Sequence, residues 1–170
     1  MFSRVTGRRL WPLGNRELML KKGDAFEQDT FRHEQYLVLE EKGKRILISG
    51  CAHNGILNIL DRYRELYGSD PDAVISGFHM SRKPHYSQAD LELVRQTGEE
   101  LRRLPVRFYT GHCTGEIPYR ILKDIMGEQL SYVQAAGKSD MGMAVSSWYL
   151  AFCRRSSQLL LFRNGYLFVK

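Results

Sequence analysis

No stretch of the 170-residue chain approaches the roughly 20 consecutive apolar residues that cross a bilayer. Met1 to Arg9 hold no apolar core of signal-peptide length. Both absences point to a cytoplasmic chain with no membrane partner. Cysteine is scarce: Cys51, Cys113 and Cys153 are odd in number and irregularly spaced, which argues against a disulfide framework and for a reducing compartment. There is no internal repeat and no low-complexity tract. The body of the chain also lacks a basic excess. The formal charge of +6 sits at the two ends, with six basic residues against Glu17 in 1–22 and five against Asp140 in 138–170. Residues 23–137 carry fourteen basic against seventeen acidic side chains, so a nucleic-acid stripe is not indicated.

What is present is one design used three times. Ile46-Leu47-Ile48-Ser49-Gly50 runs into Cys51-Ala52-His53, Ala73-Val74-Ile75-Ser76-Gly77 into Phe78-His79, and Val106-Arg107-Phe108-Tyr109-Thr110-Gly111 into His112-Cys113. Each is a short apolar run, then Ser or Thr, then Gly, with a histidine close behind. Side chains that follow the carboxyl ends of parallel strands converge in one crevice of an open α/β sheet. Three histidines delivered in this way make a candidate metal site.

The surrounding pattern predicts a layered α/β domain of ordinary size. Met1 to Gly23 reads as a basic, solvated lead-in with one strand near Phe2 to Thr6. Tyr36–Glu40 and Ile46–Ser49 pair as a hairpin through Lys42-Gly43-Lys44. A helix carries Ile56, Leu57, Ile59, Leu60, Tyr63 and Leu66 at helical spacing and ends at Gly68. Ser87 and Asp90 form a capping box for a second helix lined by Leu91, Val94, Leu101 and Leu104 and interrupted by Gly98. Pro118 falls in the first turn of a third helix, where its missing N–H is harmless. Leu130–Ala135 is a last short strand. Residues 138–170 change character, with short apolar runs broken by Arg154-Arg155, and carry no assigned element.

His53, His79 and His112 are the candidate ligands, and neutral imidazole suits zinc, iron or manganese. Cys51 is either a ligand or metal-bridging thiolate or a small buried hydrophobe. Cys113 is the weaker candidate, because in an extended segment it points away from the side of His112. His33 and Glu34 are read as surface or local hydrogen-bonding residues, and His85 as solvated. A rival chemistry uses Cys51 or Cys113 as nucleophile with a histidine base, but no acidic residue stands at a comparable strand end to orient it.

Four motifs in order, Asp29-x-Phe31-x-His33-Glu34-Gln35, Ser49-Gly50-Cys51-Ala52-His53-Asn54-Gly55-Ile56, Gly77-Phe78-His79 and Gly111-His112-Cys113-Thr114-Gly115, resemble the second half of the metallo-β-lactamase superfamily. The branch is similar to hydrolases related to dihydropterin-ribofuranosyl-aminobenzene phosphate synthase. The resemblance implies a partial αββα sandwich over residues 1–137, its sheet flanked by helices. It also implies a one- or two-metal site, usually zinc, that activates water against a small-molecule substrate. By position, His53 or Cys51 and His112 match metal-binding motifs, and His79 matches a motif of unassigned role. The superfamily's His-x-His-x-Asp-His motif does not occur here. The expectation is therefore an incomplete site in a truncated or fragmentary copy, inactive alone, that self-associates or pairs with a missing N-terminal half. The alternative is a non-catalytic remnant or interaction module that keeps the fold.

Overall fold

The structure, a computed structural model, describes residues 1–81, 85–133, 160–163 and 166–169, the last two as backbone. It divides into two compact units, Met1–Ser131 and Tyr132–Lys170. The first carries a five-stranded sheet in the order β3-β4-β5-β6-β7, with β3 Leu37–Glu41, β4 Lys44–Ile48, β5 Ala73–Ile75, β6 Arg107–Thr110 and β7 beginning at Leu130. β3 and β4 form the antiparallel hairpin expected from sequence, and β4, β5 and β6 run parallel. The connections between the parallel strands hold α1 Ile56–Tyr67 and α2 Gln88–Arg102, and α3 Glu116–Met126 follows β6.

Register and burial explain the layering. Leu47, Val74 and Phe108 are matched across the three parallel strands and fully buried. They share one cluster with Ile56, Ile59, Leu60 and Tyr63 of α1, Val94 and Leu101 of α2, and Leu122 and Met126 of α3. Side chains alternate along a strand, so Ile48, Ile75 and Tyr109, one step further along, lie on the opposite face. They too are buried.

Helix boundaries follow local chemistry. The Ser87 hydroxyl accepts from Asp90 N while the Asp90 carboxylate accepts from Ser87 N, a complete capping box. Gly68 ends α1 in the left-handed conformation, at φ 73°, which costs glycine least. The last turn of α1 differs from expectation: Tyr67 stacks on Tyr63 at 4.5 Å, and Leu66 is left exposed. Gly98, an unfavourable residue in a helix interior, has a packing reason. A Cβ there would stand 3.0 Å from Leu122 Cδ2 and 3.2 Å from Ile125 Cδ1, so its absence lets α2 and α3 approach closely.

The lead-in is where the structure departs furthest from the sequence reading. Its expected strand is a single bridge, Phe2 to Tyr36. A 3₁₀ turn at Leu13–Glu17 is followed by a hairpin of β1 Met19–Lys22 and β2 Ala25–Gln28, closed by Gly23-Asp24 with Gly23 at φ 62°. The hairpin is solvent-exposed, but Phe2, Val5, Leu13 and Asn15 before it are buried. The lead-in is part of the core. The second unit holds an antiparallel hairpin, β8 Leu160–Arg163 with β9 Tyr166–Val169, in the region left unassigned from sequence. Residues 134 and 135 of the expected last strand, and residues 82–84, lie outside the described residues. No helix among the described residues is long and apolar enough to cross a membrane.

Candidate metal centre

The three sequence motifs leave the carboxyl ends of β4, β5 and β6 side by side. Backbone bonds join them there: Ser49 N donates to Ile75 O at 2.9 Å, Gly77 N to Gly50 O at 2.8 Å, and Ser76 N to Tyr109 O at 2.9 Å. Beyond the sheet, Ser81 N donates to Cys113 O at 2.9 Å and Phe78 N to Thr114 Oγ1 at 3.0 Å. The three loops are therefore fixed to one another, not merely neighbours.

What they bring together is Cys51, His79 and Cys113. A sulfur of each cysteine and a ring nitrogen of His79 all lie within 4.8 Å of one another. Both ring nitrogens of His79 are shielded from solvent and have no hydrogen-bond partner among the described residues. A buried polar atom without a partner is costly and rare, and here it faces two thiols. His79 also takes φ 48°, a left-handed backbone that a residue with a Cβ occupies only when its surroundings impose it. Ala52, between Cys51 and His53, does the same at φ 55°.

Two glycines make the space. A Cβ on Gly77 would collide with Cys113 Sγ and stand 3.5 Å from Cys51 Cα. A Cβ on Gly14 would stand 2.5 Å from His79 Nε2, while Gly14 N donates to His79 O at 3.2 Å. The lead-in thus closes over His79, and only a residue without a side chain fits against the ring.

His53 stands beside the trio, its ring centroid 4.1 Å from that of His79. Phe31 stacks on the His53 ring at 4.5 Å. The His53 backbone is held by Glu34, one carboxylate oxygen of which accepts from His53 N at 2.8 Å. The other accepts from Asn54 N at 2.9 Å, from Asn54 Nδ2 at 3.0 Å and from the Tyr36 hydroxyl at 2.6 Å. Burial and then the Glu34 charge push the Tyr36 phenol well above its ordinary range. Of the two readings of Glu34, surface or local hydrogen bonding, the second holds at Tyr36, and the carboxylate also positions the loop at His53 and Asn54. His33 is exposed, as is His85.

Cys113 corrects the sequence reading. His112–Thr114 is a 3₁₀ turn, so the alternation of an extended chain does not apply, and Cys113 faces Cys51, its Sγ 3.7 Å from Cys51 O. The side chain of His112 is not among those described.

A solved structure with a similar fold is known. The crystal structure of a metal-dependent hydrolase of the β-lactamase superfamily superposes with TM-score 0.57 and 27% identity, over 72% of this chain and 46% of that one. The fold is that of the metallo-β-lactamase superfamily. A curated relative, the 7,8-dihydropterin-6-methyl-4-(beta-D-ribofuranosyl)-aminobenzene-5'-phosphate synthase of Methanocaldococcus jannaschii, is 38% identical over 80 residues. That match covers 46% of this chain and 25% of the relative, so the chain spans about a quarter of that protein and under half of the solved one. No family model matches.

The metallo-β-lactamase fold implies a metal, and the residues here fit one. His79 offers shielded nitrogens with no hydrogen-bond partner among the described residues, the glycine cradles leave room for donor atoms, and two sulfurs with imidazole suit a borderline or soft ion.

Proposed function

We propose that this chain is a metal-dependent hydrolase-like domain in which Cys51, His79 and Cys113 hold one zinc-class ion beside His53. The observation that carries the reading is the convergence of two thiols and an imidazole from three strand ends, the ring nitrogens of that histidine having no hydrogen-bond partner among the described residues. The solved neighbour's description as a metal-dependent hydrolase supports it. Such an ion supplies Lewis acidity toward water and toward a scissile group on a small-molecule substrate. The chain's own residues hold the donors and fix their direction. Glu34 anchors the backbone of His53, Phe31 covers one side of its ring, and Gly14 closes over His79. Iron or manganese would find fewer of their preferred donors here than zinc, since among the described residues the cluster contains no carboxylate.

A second reading is a metal-holding domain without turnover of its own. It is favoured by one observation, the absence of His-x-His-x-Asp-His from this sequence. Metal analysis and hydrolase assays on the purified chain separate the two. We expect one zinc per chain, occupancy lowered by His79→Ala, Cys113→Ser and His53→Ala and unaffected by His85→Ala. Hydrolysis of a generic phosphodiester or lactone above background selects the first reading, and background activity at full occupancy the second. Occupancy indifferent to His79 and Cys113 would overturn the site itself.

A further inference from the structure

We propose that Cys51 and Cys113 are a redox-active dithiol that closes to an intrachain disulfide under oxidation by a low-molecular-weight disulfide. The pair is 62 residues apart in sequence and brought together by the ends of two strands that each neighbour β5. The sulfurs lie within 4.8 Å of each other, near enough for bond formation after side-chain rotation. Cys113 Sγ already rests 3.7 Å from Cys51 O. Gly77, between the two loops, puts no side chain in the path, and a Cβ there would stand against Cys113 Sγ and 3.5 Å from Cys51 Cα. Both residues are only half-buried, so a small oxidant reaches them. They are not disulfide-bonded in this structure.

The chemistry balances with glutathione disulfide as oxidant. One cysteine thiolate attacks a sulfur of the oxidant, its S–S bond breaks, and one glutathione thiolate leaves. The second cysteine then attacks the protein-bound sulfur of the mixed disulfide, forming the Cys51–Cys113 bond and expelling the second glutathione thiolate. Two protein thiols are oxidised, one oxidant disulfide is reduced, and the two thiol protons pass to the departing glutathiones. The second step is intramolecular between groups already in contact range, which makes it faster than capture of the mixed disulfide by solution thiols. The inference rests on the same site as the metal reading, and oxidation would remove two of its three donors.

The test uses the full chain in a Cys153→Ser background, which removes the third thiol of the sequence. Metal-free protein is treated with oxidised glutathione, unreacted thiols are alkylated, and non-reduced peptides are mapped by mass spectrometry. We expect loss of both thiols together, a peptide linking Cys51 to Cys113, and a stable glutathione adduct only in Cys51→Ser and Cys113→Ser. Circular dichroism of each variant establishes that it is folded. Glutathione held on both cysteines without a link, or no reaction at either, would overturn the proposal. Zinc at about 100 times its Kd should slow the reaction about a hundredfold, because only the ion-free fraction reacts. The link forming at the same rate with and without zinc sustains the dithiol and rejects the metal assignment; zinc bound by a protein that never forms the link rejects the dithiol alone.

Discussion

Asn15 grips His53 at two points. Its amide Nδ2 donates to the His53 carbonyl at 2.5 Å, which turns its Oδ1 toward the ring nitrogen Nδ1 at 3.2 Å. A carbonyl oxygen can only accept, so the amide orientation follows, and Nδ1 must be the nitrogen that carries the proton. In the neutral imidazole of that tautomer Nε2 carries the lone pair and can face a metal. Asn15→Ala removes both bonds and leaves only the Trp11 indole, 2.8 Å away, on the His53 carbonyl. We expect zinc affinity to fall about 10–100-fold, as for loss of other groups that orient a ligand histidine. Competition with a chromogenic chelator measures it, and unchanged affinity would mean that His53 takes no part in binding.

Glu34 is surrounded by donors alone: two backbone N–H groups, the Asn54 amide and the Tyr36 hydroxyl. Glutamine in its place must turn an NH₂ toward at least one of them, and so replaces an attraction with a repulsion. Glu34→Gln should therefore destabilise by about 2–4 kcal/mol, as expected when buried donors lose a charged acceptor. Urea unfolding reads this as a lowered midpoint at constant m-value. A loss under 0.5 kcal/mol, about the size of a neutral surface change, would show that the carboxylate does not hold the His53 loop.

The layered sheet, the capping box and the three strand ends were all legible because each depends on local pattern: apolar runs, Ser87 with Asp90, and a glycine before each histidine. What was not legible depends on distant partners. Glu34 reads as a surface or local hydrogen-bonding residue; its bond to Tyr36 is local, but the N–H groups it also binds lie 19 and 20 residues away. Cys113 reads as facing away because an extended segment is expected where the backbone turns into a 3₁₀ helix. The lead-in, with its charges and breakers, gives no periodic signal. It is held by long-range contacts such as Gly14 against His79 and Asn15 against His53.

Gly77→Ala isolates the role of empty space at the centre. The added methyl meets Cys113 Sγ and approaches Gly50 O at 3.3 Å, and a neighbouring backbone does not yield easily. Overpacking of this kind costs about 1–3 kcal/mol. We expect a folded protein with weakened zinc binding and a slower Cys51–Cys113 link under glutathione disulfide. Wild-type values for both would show that the Cys113 thiol does not sit where the cluster requires it.

Tyr36 sets an alkaline limit on stability. Its phenol stays protonated in the folded chain well above the usual tyrosine range, while in the unfolded chain it ionises near pH 10. Above about pH 10 the unfolded state thus binds fewer protons, and stability falls as pH rises, by up to about 1.4 kcal/mol per pH unit for this group. Below that pH the contribution is fully present. Tyr63, also raised by burial, acts in the same direction. Tyr36→Phe should start less stable at neutral pH, having lost the bond to Glu34, and then decline more gently between pH 10 and 11. Parallel curves for the two proteins would rule out the buried phenol as the cause.

His79 gives the most direct test of what the site is for. Without an ion, the residue combines a left-handed backbone with two shielded nitrogens that lack partners, and each feature works against the folded state. Glycine at 79 relieves the backbone strain, about 1–2 kcal/mol for a residue with a Cβ, and removes the orphan nitrogens. It also loses the packing of the ring against His53 and Gly14. The opposing contributions should nearly cancel, so that metal-free His79→Gly unfolds within about 1 kcal/mol of wild type, where truncating a well-packed buried side chain costs about 2–5 kcal/mol. Zinc should then separate the two proteins. At about 100 times its Kd it stabilises a binding-competent chain by about 2.7 kcal/mol and leaves the glycine variant unmoved. Thermal unfolding with and without zinc measures both differences. If metal-free His79→Gly is several kcal/mol less stable than wild type and zinc raises neither Tm, then His79 is a packing residue and the cluster is no metal centre.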